Sequence, residues 1–203
     1  MNNILQSIRP AVSVFVLLSA ITGVAYPLLV TAVSQTAFAH AANGSLVTVN
    51  GQAVGSSLIG QSFSSPAYFW SRPSATSPMA NNGLASGGSN LGANNPALTD
   101  SVKGRIAALR SADPGNTAAV PIDLVTASGS GLDPDISIAA ANYQAARVAR
   151  TRALDAQTVQ TLIKSHALQP WLGFLGEPRI NVLALNLALD LAARNKKSTP
   201  ASR

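Results

Sequence analysis

The most regular hydrophobic pattern lies near the N-terminus, where residues 11–33 form a run of 23 residues without a charged side chain. A helix of about 20 apolar residues crosses the hydrocarbon core of a bilayer. The run exceeds the roughly 7–15 apolar residues of a signal-peptide core, although Ala37 and Ala39 have the spacing of a cleavage site. The pattern therefore predicts a retained transmembrane helix, with a cleaved signal peptide as the alternative.

Three residues inside this run predict how the helix behaves in a membrane. Pro27 removes one backbone hydrogen bond, which predicts a kink of the kind that spanning helices tolerate. Ala20 and Gly23 leave a patch of small side chains, at which a second helix can approach closely. We therefore expect Ala20 and Gly23 to contact a partner helix.

The charges that flank the run predict its direction. Arg9 and the terminal amine precede it, and the next basic residue is Arg72. Basic residues close to a span favour the cytoplasmic side, so the N-terminus is predicted to be cytoplasmic and everything after the span extracytoplasmic. The predicted plan is a cytoplasmic N-terminus at 1–10, a transmembrane helix at 11–33, a juncture at 34–46, an extracytoplasmic α+β domain at 47–195 and a basic tail at 196–203.

Beyond the juncture, the hydrophobic spacing contains strand patterns and loop patterns. Asn50-Gly51 between two short apolar stretches predicts a β-hairpin, because this pair supplies the positive φ angles of a type I′ turn. Residues 73–97 are rich in Pro, Ser, Asn and Gly, which predicts a long ordered loop. Residues 120–125 are predicted to form a short strand edged by Pro121.

Several helices are predicted from periodicity and capping residues. Asn95 caps the first, which ends at residues 113–115, and Ser137 and Asp155 cap the next two. The last, at residues 181–194, has leucines around much of its circumference and is too short to span a bilayer, so it is predicted to be a buried core helix. The expected fold is one transmembrane helix followed by a single mixed α+β domain, in which three or four helices cover a few short strands.

Composition excludes several classes of function. The chain has 14 Lys and Arg against 8 Asp and Glu, but its basic residues are scattered and aromatic residues make up only 5%. Nucleic-acid binders gather basic residues on one face, often between stacking aromatics, so no nucleic-acid partner is expected. There is no cysteine, and the two histidines, His40 and His166, are far apart in sequence. Neither disulfides, nor thiolate chemistry, nor a metal site is expected.

Two glycine-containing stretches resemble phosphate-binding loops. Residues 55–62 have the spacing of a P-loop, but Gln61 occupies the lysine position, so a turn is the better interpretation. The second stretch consists of Ser86, Gly87, Gly88 and Ser89. Its consecutive backbone amides offer a place for a phosphate, and a flexible turn is the alternative interpretation.

The run at residues 126–135 consists largely of small hydroxyl and glycine residues, which allow a ligand or partner to approach the backbone closely. Ser128 and Ser130 do not lie in a Gly-x-Ser-x-Gly motif, and nothing in the sequence places His166 beside them. No catalytic residue is therefore assigned. Ser128, Ser130 and Asp133 are candidates for partner contact.

Residues 172–179 contain the only glutamate of the chain, Glu177, two positions before Arg179. One interpretation is a surface ion pair that closes a turn ahead of the last helix. The alternative is an exposed contact patch for a partner protein, centred on Trp171 and Phe174.

Several of these stretches, taken in order, resemble the C subunit of the Kdp-type potassium-transporting ATPase. The matching stretches are residues 55–63, 68–69, 72–75, 86–96, 121–134, 147–149 and 172–190, together with Gln144. The similarity runs over essentially the whole chain, including the anchor. Asp135 stands where the family's Asp-Pro-His-Ile-Ser run has a histidine.

This resemblance implies membership of a four-component complex in the bacterial inner membrane. The implied partners are a potassium-channel-like subunit, a P-type ATPase subunit and a small single-span subunit. No firmly bound cofactor is implied, and ATP acts through the ATPase subunit.

The resemblance also implies two alternative roles. The family's C subunit is described as a catalytic chaperone that raises the ATP affinity of the ATPase subunit, which implies nucleotide contact through residues 86–89 and Gln144. ATP is cytoplasmic, however, whereas the charges around the anchor predict an extracytoplasmic domain. We therefore expect a non-catalytic accessory subunit that stabilises assembly and covers the channel-like subunit on the outer face.

Overall fold

The computed structural model describes residues 2–198, which divide after Leu46 into two compact units. The first unit is almost entirely helical: α1 (Asn2–Ala20), a π-helical turn (Ile21–Ala25), α2 (Tyr26–Ala37) and the short α3 (Ala39–Ala42). The most apolar 18 residues of the stretch Gln6–Ala37 have a mean hydropathy of 2.1, and none of them is buried. The predicted N-terminal apolar helix is confirmed, and it is long enough to cross a membrane.

The kink at Pro27 stays a prediction, and a π-helical turn (Ile21–Ala25) precedes this proline. The N–H of Tyr26 donates to the carbonyl of Ile21, five residues back. A proline ring clashes with the carbonyl four residues before it in a regular α-helix, here that of Gly23. The wider π turn gives this carbonyl more room, and such turns are a common way for a helix to absorb a local disturbance.

The second unit begins with the predicted hairpin. Strand β1 (Leu46–Val49) pairs with β2 (Gln52–Ser56), and the turn residues Asn50 and Gly51 have φ angles of +52° and +79°. Both angles are positive, as a type I′ turn requires, so this prediction is confirmed.

No helix or strand occurs between residues 57 and 95, a stretch we call the N-terminal layer. Its backbone is fastened to helices by polar side chains. The N–H of Phe69 donates to Asn186 Oδ1 at 2.9 Å, and Asn186 Nδ2 donates back to the Phe69 carbonyl at 3.0 Å. Phe69 is also the only apolar residue of the N-terminal layer in the buried core. The layer is therefore an ordered loop, as predicted, and it begins earlier than residue 73.

Four helices follow: α4 (Pro96–Ala112), α5 (Ile138–Arg152), α6 (Ala156–His166) and α7 (Val182–Ser198). Three begin where the sequence predicted. The side chains of Asn95, Ser137 and Asp155 accept hydrogen bonds from backbone N–H groups of the first turns of α4, α5 and α6, as N-cap residues do. Asn181 precedes α7 and accepts from the N–H of Ala184 at 3.0 Å.

A three-stranded antiparallel sheet lies against these helices, with strand order β3-β5-β4. The strands are β3 (Asp135–Ser137), β4 (Ala167–Leu168) and β5 (Arg179–Asn181). Ile136 stands opposite Ile180 in the register, and both are fully buried. The core around them contains Leu109, Ala140, Val148, Val159, Ile163, Leu185 and Leu189. The connection between β4 and β5, residues 169–178, projects from the sheet, and we call it the hairpin arm.

The predicted strand at residues 120–125 is wrong. The backbone there forms a 3-10 turn (Ile122–Leu124), because the N–H groups of Leu124 and Val125 bond back to the carbonyls of Pro121 and Ile122 at 3.1 Å each. These local bonds satisfy the backbone without a neighbouring strand.

Candidate functional site

Two of the singled-out loops pack against each other. The carbonyl of Ser130 accepts from the N–H of Gly87 at 2.8 Å and from Ser86 Oγ at 3.0 Å. Gly131 has a φ of +68°, and a Cβ there would lie 2.6 Å from the Gly87 carbonyl oxygen. The small residues of this region thus permit close backbone approach, as expected. The backbone that approaches residues 130–131 is that of residues 86–87 of the same chain.

The partner-contact candidates of residues 126–135 differ in accessibility. Ser128 is buried and Ser130 is exposed. Asp133 Oδ2 pairs with Arg72 Nη1 at 2.9 Å, and its Oδ1 accepts from the N–H of Asp135 at 3.0 Å. Within this region, Ser130 is therefore the candidate most open to a partner.

The hydrogen bonds of His166 do not involve Ser128 or Ser130. His166 Nδ1 lies 2.9 Å from the Leu162 carbonyl and 3.1 Å from Ser165 Oγ, both on its own helix. Across residues 2–198, no group of three or more Asp, Glu or His side chains is placed to hold a metal ion. Nucleophilic catalysis needs a base within hydrogen-bond reach, and the serines of residues 126–135 do not have one here.

Gln144, the second part of the nucleotide hypothesis, is only 1% exposed. Its Oε1 accepts from the N–H of Trp70 at 2.8 Å and from Arg147 Nη2 at 2.7 Å, while its Nε2 donates to the Trp70 carbonyl at 3.1 Å. All of its polar capacity is directed at protein atoms. The nucleotide hypothesis therefore depends on residues 86–89, of which Ser86 and Ser89 are exposed.

Gln144 belongs to a cluster with Arg147 and Arg152 that sequence reasoning missed, and we call these three residues the arginine clamp. Arg147 is buried, bonds to the carbonyls of Pro66 and Tyr68, and lies 4.9 Å from the ring centroid of Trp70. Burial lowers the pKa of Arg147 from its usual value, while Asp113 opposes this shift. The clamp fixes the backbone of residues 66–70 against α5.

Arg152 completes the clamp at the C-terminal end of α5. Its Nε donates to the Ala67 carbonyl, its Nη1 pairs with Asp190 Oδ1 at 2.7 Å, and its guanidinium lies 4.3 Å from the ring centroid of Tyr68. The sequence contained a signal for this cluster. Gln144 and Arg147 lie between the apolar residues Ala141 and Val148 of the same helix, both of which are buried. Polar residues on an apolar helix face indicate buried polar contacts.

Asp135 occupies the edge of the sheet. Its Oδ2 pairs with Arg179 Nε at 2.9 Å. Burial and the nearby Asp133 raise the pKa of Asp135, and Arg179 opposes this rise. The predicted ion pair of Arg179 therefore forms with Asp135 across the two strands, rather than with Glu177 along the chain.

The hairpin arm carries the most concentrated apolar surface of the second unit. Trp171 is 71% exposed and Phe174 is 73% exposed, and Leu172 and Leu175 beside them are also exposed. A tight turn holds these side chains together, because Trp171 and Leu175 exchange two backbone hydrogen bonds of 3.0 and 2.9 Å. Clustered exposed aromatics of this kind indicate a binding surface.

The small-residue patch of the anchor coincides with its π turn. Ala20 is the last residue of α1, and Gly23 is the central residue of Ile21–Ala25. Apart from its chain neighbours and the nearby backbone of its own helix, a Cβ added at Gly23 would meet no atom within 4 Å. The surface at Gly23 is therefore open to another helix.

These features together define a class. The chain combines an N-terminal apolar helix long enough to cross a membrane with a small α+β body that offers contact surfaces. In the part of the chain that the structure describes, no metal centre is assembled. This is the class of proteins that join a candidate membrane anchor to a body with an exposed apolar contact surface.

The family follows from comparison with known proteins. The family model described as "K+-transporting ATPase, c chain" matches residues 8–191. The potassium-transporting ATPase KdpC subunit of Variovorax paradoxus (strain S110) is 64% identical over 193 residues, which are 95% of this chain and 98% of that protein. The subunit of the same name from Herminiimonas arsenicoxydans is 62% identical over 185 residues (91% and 97%), and that from Sorangium cellulosum (strain So ce56) is 57% identical over 186 residues (92% and 98%).

The chain belongs to the family of the c chain of K+-transporting ATPases. It is a subunit of that complex and is not a catalytic enzyme alone. The predicted family membership is therefore confirmed.

Proposed function

We propose that this chain is a non-catalytic accessory subunit that stabilises the assembled potassium transporter and covers its channel-like subunit on the outer face. Its partners are that subunit, the P-type ATPase subunit and the small single-span subunit, in the bacterial inner membrane. It holds no cofactor of its own, and ATP acts through the ATPase subunit. The observation that carries this proposal is the exposed apolar cluster on the hairpin arm.

The hairpin arm suits docking because its apolar groups are rigidly presented. Trp171 and Phe174 have few rotatable bonds, and the turn between Trp171 and Leu175 is closed by two backbone bonds, so little conformational entropy is lost when they are covered. Tryptophan is also the residue type that most often dominates the binding energy of an interface. Clustered exposed apolar side chains are typical of a surface that is covered by a partner in the assembled complex.

We expect Trp171→Ser to reduce recovery of the complex by about tenfold or more, because loss of a central tryptophan costs about 2 kcal/mol or more at an interface. The measurement is affinity purification of the tagged full-length chain from membranes, with quantification of the partner subunits. The matched control is Ile122→Ser, which removes a side chain that is 75% exposed and lies outside the hairpin arm. The control should leave recovery unchanged. Equal recovery for Trp171→Ser and the parent would show that the arm is not the docking surface.

The second test concerns the side of the membrane on which the body lies. Arg9 precedes the span and no basic residue follows it until Arg72, which supports an extracytoplasmic body. We expect protease added to intact spheroplasts to digest the body while a cytoplasmic marker stays whole. If the body is protected in that assay, the orientation is reversed and nucleotide contact through residues 86–89 becomes the better hypothesis.

A further inference from the structure

A cavity of about 190 Å³ lies between helix α4, the 3-10 turn and the N-terminal layer. Residues that line it include Phe63, Trp70, Arg72, Arg105, Leu109 and Leu124. All of them belong to the second unit. The cavity combines a cationic side with an apolar side.

The cationic side consists of two guanidinium groups, and no carboxylate lines the cavity. Arg105 Nη1 donates to the carbonyl of Val125 at 2.7 Å, and within residues 2–198 no acidic side chain pairs with Arg105. Partial burial lowers the pKa of Arg105, because burial disfavours the charged form.

Arg72 has spare donor capacity as well. Its Nη1 is engaged by Asp133, but its Nε–H is buried and has no partner in the described part of the chain. A buried donor without an acceptor is costly. The Arg72 side chain as a whole is 26% exposed and lines the cavity.

The apolar side determines the size and nature of the ligand. The rings of Phe63 and Trp70 and the side chains of Leu109 and Leu124 supply a hydrocarbon wall. A cavity of about 150 Å³ binds benzene, which has six heavy atoms. A volume of 190 Å³ therefore accommodates a group of similar size that carries both a charge and a short apolar chain.

We propose that this cavity binds a carboxylate attached to a short apolar group, with the carboxylate between Arg72 and Arg105 and the apolar group against Trp70. Guanidinium groups match carboxylate geometry and form strong charge-assisted hydrogen bonds. The carboxylate comes either from a free small organic acid or from a side chain or terminus of another subunit of the complex.

The binding test uses the full-length chain in detergent with Trp171→Phe, so that Trp70 is the only remaining tryptophan. Sodium butyrate, which has six heavy atoms, is titrated at constant ionic strength while Trp70 fluorescence is recorded. We expect a saturable change with butyrate and none with butyramide, the neutral analogue. Loss of one charge-assisted contact weakens binding by about tenfold, which is the expected effect of Arg105→Gln.

The matched control is Arg110→Gln, since Arg110 is an exposed arginine of the same helix that does not line the cavity. It should bind butyrate as the parent does. The proposal is overturned if butyrate produces no saturable change, if butyramide binds equally well, or if Arg105→Gln and Arg110→Gln behave alike.

The assembled wild-type complex distinguishes the two sources, with butyrate binding followed by ligand-observed NMR. Butyrate binding that Arg105→Gln abolishes in the complex indicates a free organic acid. Loss of butyrate binding on assembly, together with weaker retention of the Arg105→Gln chain in high-salt washes, indicates a carboxylate from a partner subunit. If the complex neither binds butyrate nor responds to Arg105→Gln, the cavity has no ligand in the transporter and the proposal fails there.

Discussion

Replacing Arg147 with methionine should lower the free energy of unfolding of the body by about 3 kcal/mol. The substitution keeps much of the apolar volume but removes the donors that satisfy Gln144 Oε1 and the carbonyls of Pro66 and Tyr68. The two carbonyls lose these donors, whereas Gln144 Oε1 keeps its bond from the Trp70 N–H, and each buried unsatisfied group costs about 1–3 kcal/mol. The stacking of the guanidinium over Trp70 is lost as well. Domains of this size are stable by only about 5–15 kcal/mol, so the loss is a large fraction of the total.

Urea unfolding of the full-length chain in detergent, followed by far-UV circular dichroism and tryptophan fluorescence, measures this effect. Arg110→Met is the control, because Arg110 is exposed on α4, and it should change the midpoint little. If Arg147→Met unfolds at the same urea concentration as the parent, the arginine clamp contributes nothing to stability and the N-terminal layer is held by other contacts.

Replacing Gly23 with leucine should strongly reduce recovery of the channel-like and ATPase subunits while leaving membrane insertion intact. Apart from its chain neighbours and the nearby backbone of its own helix, a Cβ at position 23 meets no atom within 4 Å, so we expect the larger side chain to act at a neighbouring helix. Close helix approach in a bilayer depends on small residues at the contact. Leucine favours insertion more than glycine does, so the anchor itself should be unharmed.

The control for this experiment is Ala25→Leu, which adds a comparable side chain to the same π turn on the opposite side of the helix. It should assemble normally, and membrane fractionation should find both variants inserted. Normal recovery of Gly23→Leu would make the anchor a passive tether and leave the hairpin arm and the loops of the body to hold the complex. Equal damage by both substitutions would indicate a general effect on the π turn rather than a contact at Gly23.

The sequence predicted those elements that are stabilised by residues close to one another along the chain. The apolar run at residues 11–33 needs only its own length, the turn at Asn50-Gly51 only its own φ angles, and the caps at Asn95 and Ser137 only hydrogen bonds to the next turn. The interpretation of Trp171 and Phe174 as an exposed patch is consistent with their exposure in the structure.

Features that depend on distant partners were not predictable in this way. Strands β3 and β4 have three and two residues, too few for an alternating pattern. They form because Ile136 of β3 and Ala167 of β4 both stand opposite Ile180 of β5. Residues 120–125 look like a strand in composition, yet local bonds to Pro121 and Ile122 satisfy their backbone.

The candidate site shows the same limit. Gln144 appeared as a candidate for nucleotide contact, whereas the folded chain buries it against the backbone of Trp70. Periodicity indicates that a helix face is covered, but it does not indicate that the cover is loop backbone rather than apolar side chains. Arg105 had a readable signal, because it shares a face of α4 with Val102 and Leu109, where a charged residue is unexpected.

The N-terminal layer is synthesised early, but its hydrogen bonds are to helices that are synthesised later. The bond from Trp70 to Gln144 spans 74 residues, and the bond from Phe69 to Asn186 spans 117. Contacts of such high sequence separation form late, because the intervening chain must first give up its freedom. Residues 57–95 are made before α5 and α7, and the last of their attachment points, Asn186 and Asp190, are made only with α7. The nascent chain therefore carries this stretch without its full set of partners through most of its synthesis, and truncation before Asn186 removes a bond to a segment more than a hundred residues away.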